Sequence, residues 1–289
     1  MDYQGTVIRP PSEAESIVMQ VVVGCSHNRC TFCGAYQGVR FRLKDEVAVD
    51  ADLAYAARHF RHLNRIFLAD GDVLILPQHR LVALLKKIRD GLPWVRRIRL
   101  YGNCKSIRAK TLADLRELKS LGLDRIYLGL ESGDDTVLAA VRKGHGAEQM
   151  VEAGRKVRQA GIFLSVTVLL GLAGTRDSNR HAVLTAQALN RMAPNQIAAL
   201  TVMPVPGTPL HDDMIAGRFV LPDEWGILRE LKTMLRHIEL DRAQFQANHA
   251  SNFLPLDCRL ARGKAAALAK IDLALAGRLP LMPDYLRTL

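Results

Sequence analysis

Short apolar segments rich in β-branched residues alternate along this chain with longer segments whose apolar residues recur every three or four positions. The short segments have the length and composition of buried strands, and the longer ones have the period of helices that pack on a sheet. Several of the longer segments end at a glycine, as helices commonly do. The sequence therefore predicts repeated βα units. The six predicted strands are Ser16 to Val23, Arg65 to Asp70, Arg97 to Gly102, Arg125 to Ser132, Ile162 to Gly171 and Gln196 to Pro204.

Successive parallel strands joined by right-handed crossovers favour a sheet that winds in one direction. We therefore predict an α/β fold, a partial (β/α)6 TIM-like barrel over residues 16–205, preceded by an N-terminal arm over residues 1–15. After the segment PVPGTPL the strand pattern stops, while helical periodicity continues. This change predicts a helical C-terminal extension over residues 206–289 that packs on the barrel.

The composition is that of an ordinary globular protein. The chain has 289 residues, of which 48% are hydrophobic and 24% are charged. Its first residues lack the basic start and apolar run of a signal peptide, and no apolar stretch approaches the length of a membrane span. We expect a soluble, cytoplasmic protein with no membrane partner.

The chain is strongly basic, because Lys and Arg number 40 and Asp and Glu 29, for a formal net charge of +11. Such an excess is found in proteins with anionic partners. Here the basic residues are scattered and few aromatic residues lie among them, whereas a surface that stacks bases needs both. The sequence gives little support for nucleic acid as a partner but leaves it open.

Three of the five cysteines lie within nine residues, in the segment GCSHNRCTFCGAY after the first predicted strand. Cysteines this close together, in a chain expected in a reducing compartment, indicate a metal site rather than a disulfide. A closed zinc site would need His27 as a fourth ligand beside Cys25, Cys30 and Cys33. Three thiolates alone suit a cubane iron–sulfur cluster in which one iron stays open for a substrate or cofactor.

The cysteine segment resembles the motif of the radical S-adenosylmethionine (SAM) superfamily, which is usually Cys-x3-Cys-x2-Cys with an aromatic residue before the last cysteine. Here the first spacer has four residues, and Phe32 takes the aromatic place. The resemblance implies a [4Fe–4S] cluster held by Cys25, Cys30 and Cys33, with SAM on the open iron and Phe32 near its adenine.

Turns after the later strands add to the resemblance, because active sites of barrel enzymes gather at the carboxyl ends of the strands. After the second strand, Asp70, Gly71 and Asp72 resemble the Gly-Gly-Glu-like turn that holds the ammonium group of SAM. After the fourth strand, the segment YLGLESGDD is similar to oxygen-independent coproporphyrinogen oxidases, the elongator catalytic subunit and methylthiotransferases. This similarity implies that Glu131 is a polar ligand of SAM.

In these relatives a basic residue of the next helix meets the SAM carboxylate, which implies Arg142 or Lys143 in this chain. The segment VLLGLAGT, with Gly171, resembles the glycine-rich turn beside adenine and ribose, and VMPVPGTPL resembles the Gly-Thr-Pro segment of the same relatives. Ser165 in the fifth strand and Asn103 after the third strand are the remaining predicted cofactor contacts.

Three residues are candidates for the chemistry itself, and each has a plainer alternative. Cys104, after the third strand, is either a radical relay or hydrogen donor or a buried neutral thiol. Tyr101 either contacts substrate or closes the strand, and His249 either caps the barrel mouth or is structural. We expect His181 to lie on a helix surface or at a helix cap.

The resemblance implies reductive cleavage of SAM to methionine and a 5′-deoxyadenosyl radical that takes hydrogen from a small or medium-sized substrate. Electrons would come from a reductant such as flavodoxin or ferredoxin. Only Cys104 and Cys258 lie outside the motif, too few for the second cluster of methylthiotransferases. Two alternatives stay open, namely a zinc-stabilised nucleic-acid-binding protein and a cluster-containing relative that binds heme or another cofactor without substrate turnover.

Overall fold

The computed structural model describes residues 1–288 and has the predicted α/β class. Its strands within those residues are β1 (Ile17–Gln20), β2 (Val22–Val23), β3 (Arg42–Leu43), β4 (Arg65–Ala69), β5 (Arg97–Tyr101), β6 (Leu123–Glu131), β7 (Phe163–Leu170), β8 (Gln196–Thr201), β9 (Gln244–Gln246) and β10 (Asp257–Arg259). Its α-helices are α1 (Glu46–His59), α2 (Gln78–Gly91), α3 (Cys104–Ala109), α4 (Leu112–Ser120), α5 (Asp135–Ala140), α6 (Ala147–Gln159), α7 (Gly174–Met192), α8 (Pro209–Ile215), α9 (Glu224–His237) and α10 (Leu260–Leu275).

The main sheet has the order β1-β4-β5-β6-β7-β8-β9-β10. The neighbouring pairs from β1 to β6 and from β7 to β9 are parallel, and β10 runs antiparallel to β9. A parallel sheet whose strands follow one another in chain order, with helices between them, is the architecture of a partial TIM-like barrel. The predicted fold class is confirmed.

The first predicted strand is two strands in the structure. β1 pairs with β4 as far as Gln20, and the Val21 N–H then donates to the Ala69 carbonyl at 2.6 Å. β2 turns away to pair with β3, with Val22 opposite Leu43. Because this two-stranded ladder flanks residues 24–41, it closes the base of the loop that carries the three clustered cysteines.

One compact unit comprises Met1–Asn28, Ala35–Leu128 and Lys156–Leu164. Alternate side chains of a strand point to opposite faces of a sheet. Ile17, Ile66 and Ile98 are in register on one face of β1, β4 and β5, and all three are buried. These residues form the apolar side of the sheet that the sequence pattern predicts.

The second compact unit comprises Arg29–Gly34, Gly129–Arg155 and the chain from Ser165 onward. Here α7 packs on α9, and α9 also packs on α10. The segment over residues 206–289, predicted to be helical, contains α8, α9 and α10 but also β9 and β10, which the sequence did not predict. Each of the two strands has three residues and few apolar ones, so neither shows a period-two pattern. None of the helices within residues 1–288 is both long and apolar enough to cross a membrane.

Candidate active site

The first cysteine of the loop lies against the turn that follows β4. A Cβ at position 71 would lie 3.0 Å from the Cys25 Cβ and 2.8 Å from a ring carbon of Tyr36. Real Cβ contacts are almost never this short, so glycine is the residue that lets the turn approach the cysteine. The structure therefore brings together Cys25 and Gly71, which the sequence assigned to cluster and SAM binding respectively.

Asp72, in the same turn, is fully buried and accepts three hydrogen bonds. They come from Ser26 Oγ at 2.5 Å, Ser106 Oγ at 2.7 Å and the Asn103 N–H at 3.2 Å. The side-chain amide of Asn103 also donates, through Nδ2, to Ser26 Oγ at 2.9 Å. Burial raises the pKa of Asp72 above its usual range, while the serine donors oppose this rise. The Asp72 carboxylate thus links Ser26, which follows Cys25, to Asn103 and Ser106 at the start of α3.

Asp70 is also buried and accepts bonds from Gln20 Nε2 at 2.8 Å and the Tyr36 hydroxyl at 3.1 Å. The backbone N–H groups of Ile8 and Gly24 lie near the same carboxyl and act to lower its pKa. Burial raises the pKa of Asp70, and these four groups counteract that rise. Both carboxylates of the turn are thus already bonded inside the protein.

The second half of the cysteine motif is held through its backbone in the second compact unit. The Thr31 N–H donates to the Val141 carbonyl at 3.0 Å, and the Thr31 carbonyl accepts from the Leu210 N–H at 3.0 Å. Phe32 packs against a cluster of buried apolar residues that includes Val137 and Leu172. These contacts fix the segment that bears Cys30 and Cys33, whichever side chains stand at the two cysteine positions.

Glu131 and Lys143 form an ion pair, with Lys143 Nζ 2.9 Å from Glu131 Oε1. Glu131 ends β6 in a left-handed conformation, with a φ of 64°. A Cβ on Gly129 would lie 2.0 Å from Glu131 Oε1, so the Glu131 side chain folds back over Gly129 and occupies the space that a Cβ there would need. Of the two basic residues predicted near the SAM carboxylate, Lys143 pairs with Glu131. The backbone of Arg142 is left-handed, with a φ of 54°.

Gly171, at the end of β7, is held by a buried glutamate that the sequence analysis missed. The Gly171 N–H donates to Glu230 Oε1 at 2.7 Å, and the Ser178 hydroxyl donates to the other carboxylate oxygen. Glu230 lies among the apolar positions of α9, and a carboxylate at such a position was the signal that could have revealed it. Ser165, in β7, is also buried.

The prediction for His181 was wrong, because this residue is fully buried rather than at a helix surface or cap. Its Nδ1 lies 2.8 Å from Ser132 Oγ, and its Nε2 lies 3.1 Å from the Leu169 carbonyl and 3.5 Å from Glu230 Oε1. A neutral ring with the proton on Nε2 satisfies all three neighbours. His181 thereby joins the turn after Glu131 to the helices α7 and α9.

The buried pair His181 and Glu230 should make fold stability depend on pH in opposite senses. Burial lowers the pKa of His181 from 6.5 to about 4, so the unfolded chain binds more protons between these values and stability rises with pH there. Burial raises the pKa of Glu230 from 4.5 to about 7, so the folded chain binds more protons between these values and stability falls as pH rises.

Single variants separate the two contributions. Glu230→Gln leaves only the histidine contribution, so we expect the urea concentration at the unfolding midpoint to increase as the pH is raised from 4 to 6.5. In His181→Gln only the glutamate contribution remains, so this urea concentration should decrease as the pH is raised from 4.5 to 7. A pKa difference of this size corresponds to about 3 kcal/mol. Urea unfolding at four pH values measures both slopes, and two variants with parallel pH profiles would contradict the assignment.

The three candidate catalytic residues have different environments. Cys104 is 2% exposed at the start of α3, a burial that supports the neutral-thiol alternative. Tyr101 packs edge-on against Phe67 with ring centroids 5.1 Å apart, and burial raises its pKa. His249 follows β9, and its Nδ1 lies 3.0 Å from Ser251 Oγ, which accepts from the Thr201 N–H at the end of β8. His249 therefore lies beside the carboxyl end of a parallel strand.

The cysteine side chains suit an iron–sulfur cluster in number, chemistry and exposure. Within residues 1–288 no cysteine is in a disulfide, and the thiols of Cys25, Cys30 and Cys33 are partly exposed. No three His, Cys, Asp or Glu side chains in that range are already placed around one point to hold a metal ion. The donor set is therefore three partly exposed cysteines on one loop.

The fold and the cysteine loop define a class of barrel enzyme that carries an iron–sulfur cluster on the loop after its first strands. A family model described as the Radical SAM superfamily matches residues 19–185, and the chain belongs to this superfamily. It is a radical SAM enzyme whose cofactors are a [4Fe–4S] cluster and SAM. The predicted family and cofactors are confirmed, and enzymes of this family need an external reductant and a substrate.

Among curated proteins, the tRNA-2-methylthio-N(6)-dimethylallyladenosine synthase of Coxiella burnetii is 26% identical over 222 residues, which cover 71% of this chain and 48% of that protein. The chain spans less than half the length of the curated relatives it matches. Elp3 of the archaeon Methanocaldococcus infernus is a structural neighbour with a TM-score of 0.57 and 12% identity over 92% of this chain and 64% of that chain.

The methyltransferase TsrM of Kitasatospora setae, whose structure holds cobalamin and a [4Fe–4S] cluster, has a TM-score of 0.58 and 17% identity over 93% of this chain and 55% of that chain. Structural similarity at such low identity shows a shared fold.

Proposed function

We propose that Cys25, Cys30 and Cys33 hold the cluster. When bound and given one electron by an external reductant, SAM would supply methionine and a 5′-deoxyadenosyl radical, which would take a hydrogen atom from a small or medium-sized substrate. The contact between Cys25 and Gly71 is the observation that supports the proposal, because a cluster ligand at Cys25 would lie beside the turn assigned to the SAM ammonium group. Two segments that are far apart in the sequence meet where a cluster-bound SAM needs both.

The turn after β4 would meet the SAM ammonium group through its backbone. Asp70 and Asp72 accept their hydrogen bonds from the protein itself, so their main task is to hold the turn and the cysteine loop in place. Gly71 leaves the space beside Cys25 clear of a side chain. Asn103 contributes by orienting Ser26, which follows Cys25 directly.

The contacts with the rest of SAM are those that the resemblance implies. Lys143 meets the carboxylate and Glu131 a polar group, and their ion pair orients both side chains. Phe32 packs near the adenine, and the Gly171 turn and Ser165 line the nucleoside. Tyr101 and His249 remain the candidates for substrate contact. We place the reaction in the cytoplasm, where flavodoxin or ferredoxin supplies electrons and thiols stay reduced.

We expect Lys143→Met to raise the dissociation constant of SAM about tenfold or more while leaving iron content unchanged, because it removes one charge-assisted contact. Glu131→Gln should weaken SAM binding less, since the amide keeps an acceptor oxygen. Anaerobic equilibrium dialysis with the reconstituted protein measures both. Arg142→Met is the matched control, and a loss of affinity in this variant with none in Lys143→Met would exchange the two assignments.

Anaerobic reconstitution tests the function directly. Iron, sulfide and zinc are counted, the protein is reduced in the presence of SAM, and 5′-deoxyadenosine is quantified by liquid chromatography. About four irons for each chain and release of 5′-deoxyadenosine are the expected result. A colourless protein that leaves SAM intact would refute the proposal. A heme absorption band without SAM cleavage would favour the cofactor-binding alternative.

A further inference from the structure

The N-terminal arm lies on the face of the sheet opposite the isoleucine-rich core. This arm-covered face carries Val18, Gln20, Phe67 and Ala69, which are in register between β1 and β4. The Tyr3 hydroxyl donates to the Val18 carbonyl at 2.8 Å, and Val7 packs on the apolar cluster of Phe67 and its neighbours. The arm is therefore integrated into the sheet rather than appended to it.

Gln20 joins the arm to the turn after β4. Its side-chain oxygen accepts from the Gln4 N–H at 2.8 Å, and its Nε2 donates to the Gln4 carbonyl at 3.1 Å. The same Nε2 donates its other hydrogen to Asp70 Oδ2 at 2.8 Å. The buried amide of Gln20 thus exchanges two hydrogen bonds with the backbone of Gln4. Both of its N–H groups donate, and its oxygen accepts one of the two bonds that it could accept.

Two further anchors fix the arm at its ends. The Asp2 N–H donates to Asp52 Oδ1 at 2.7 Å, and Asp52 pairs with the buried Lys44 at 2.6 Å. At the other end Glu13 is fully buried and accepts from Arg99 Nη1 at 2.8 Å. Between these anchors the Ile8 N–H lies near Asp70.

Four chain segments therefore meet at one carboxylate, and two of them donate hydrogen bonds to it from side chains. The four segments are the arm through Ile8, β1 through Gln20, the start of the cysteine loop through Gly24, and the end of that loop through Tyr36. Gln20 donates to one oxygen of Asp70 at 2.8 Å and Tyr36 to the other at 3.1 Å, so both carboxylate oxygens are engaged by the protein. Because Gly24 directly precedes Cys25, the position of the first cluster ligand depends on this junction.

We propose that Asp70 is a positioning residue and that the N-terminal arm, through Gln20 and Ile8, is a built part of the cluster site that sets the position of Cys25. The inference rests on the proposed function, since it concerns the same cysteine loop. It assigns to Asp70 contact with the protein rather than with the SAM ammonium group. The arm contributes to cofactor retention without itself touching the cofactor.

The test compares the reconstituted full chain with three variants. Gln20→Met keeps the volume and removes the amide, Tyr36→Phe removes one donor to Asp70, and Tyr3→Phe removes a hydrogen bond of the arm that does not involve Asp70. The readouts are the rate of iron loss to a chelator, the electron paramagnetic resonance spectrum of the reduced cluster with and without SAM, and thermal unfolding of the metal-free protein.

We expect Gln20→Met to lose iron about tenfold faster or more and to shift the spectrum of the reduced cluster. Tyr36→Phe should show smaller changes in both readouts. Tyr3→Phe should match the unmodified chain in both. Unchanged iron retention and spectrum in Gln20→Met would overturn the proposal. If Gln20→Met does not fold, Tyr36→Phe decides by the same criteria. Failure of the proposed function is distinguishable, because the unmodified chain would then assemble no cluster.

Discussion

Cys30→Ala is expected to abolish cluster assembly and SAM cleavage while the fold stays intact. With two thiolates the cluster has two irons without a protein ligand, and one SAM molecule can occupy only one of them. The loop should keep its path because its neighbouring contacts are made by backbone groups of Thr31, which the substitution does not touch. Cys30 is partly exposed, so the stability change should stay within about 1 kcal/mol.

Iron and sulfide for each chain, 5′-deoxyadenosine release and thermal unfolding, measured on the same anaerobic sample, check this expectation. Cys258→Ala is the control, because it removes another partly exposed thiol that lies outside the motif. It should keep full iron content and full SAM cleavage. A Cys30→Ala protein that binds about four irons and cleaves SAM at the unmodified rate would remove Cys30 from the ligand set.

The parts of the fold that could be predicted from the sequence are those in which local pattern and burial agree. β4, β7 and β8 are largely apolar runs buried on at least one face, so composition alone marks them. β9 was missed because two of its three residues are glutamines and its pairing depends on β8 and β10 rather than on its own pattern. Short strands stabilised only by their neighbours leave little local signal.

Some features of the candidate site could likewise be predicted from the sequence, and others could not. The parallel strand rule places residues after β1 and β4 at one edge, which is why the cysteine loop and the Asp70–Asp72 turn could be expected to meet. The partners of Asp70 could not be expected, because Gln4, Gln20 and Ile8 are ordinary residues whose role comes from tertiary contact. His181 was misassigned because a histidine between polar residues in SNRHA looks exposed, whereas α7 buries that side against Ser132 and Glu230.

These misses share a physical cause. Buried polar groups are satisfied by partners that are distant in the sequence, so their pattern shows only a polar residue at an apolar position. Glu230 and Gln20 are both of this kind. In each case the buried polar side chain bonds a turn that carries a proposed cofactor contact, Gly171 and Asp70–Asp72 respectively. Buried polar residues at otherwise apolar positions, such as Glu230 and Gln20, thus hold the turns of the proposed site in place, whereas the motif residues form the proposed site itself.

Gly71→Ala should be the most damaging single-methyl change in the turn after β4. The added Cβ would lie 3.0 Å from the Cys25 Cβ and 2.8 Å from Tyr36, and Tyr36 is itself fixed by its bond to Asp70. Because neither neighbour is the far end of a flexible side chain, the turn must move away from the cysteine loop. A displacement of this kind between a ligand and its partner can lower a rate about 100-fold, and we expect a loss of that size in SAM cleavage.

Gly91→Ala is the matched control, because it adds the same methyl group in the same compact unit at the end of α2. Its Cβ would lie 3.1 Å from Leu53 Cδ2, the mobile end of a side chain that can turn aside. SAM cleavage, SAM affinity and iron content are compared in both variants, with Gly71→Val as a larger step at the first position. Since the proposal places both Cys25 and the SAM ammonium group beside Gly71, affinity and cleavage should fall together from alanine to valine. A Gly71→Val protein with unchanged affinity and cleavage would show that SAM does not bind at this turn, even if the three cysteines hold the cluster.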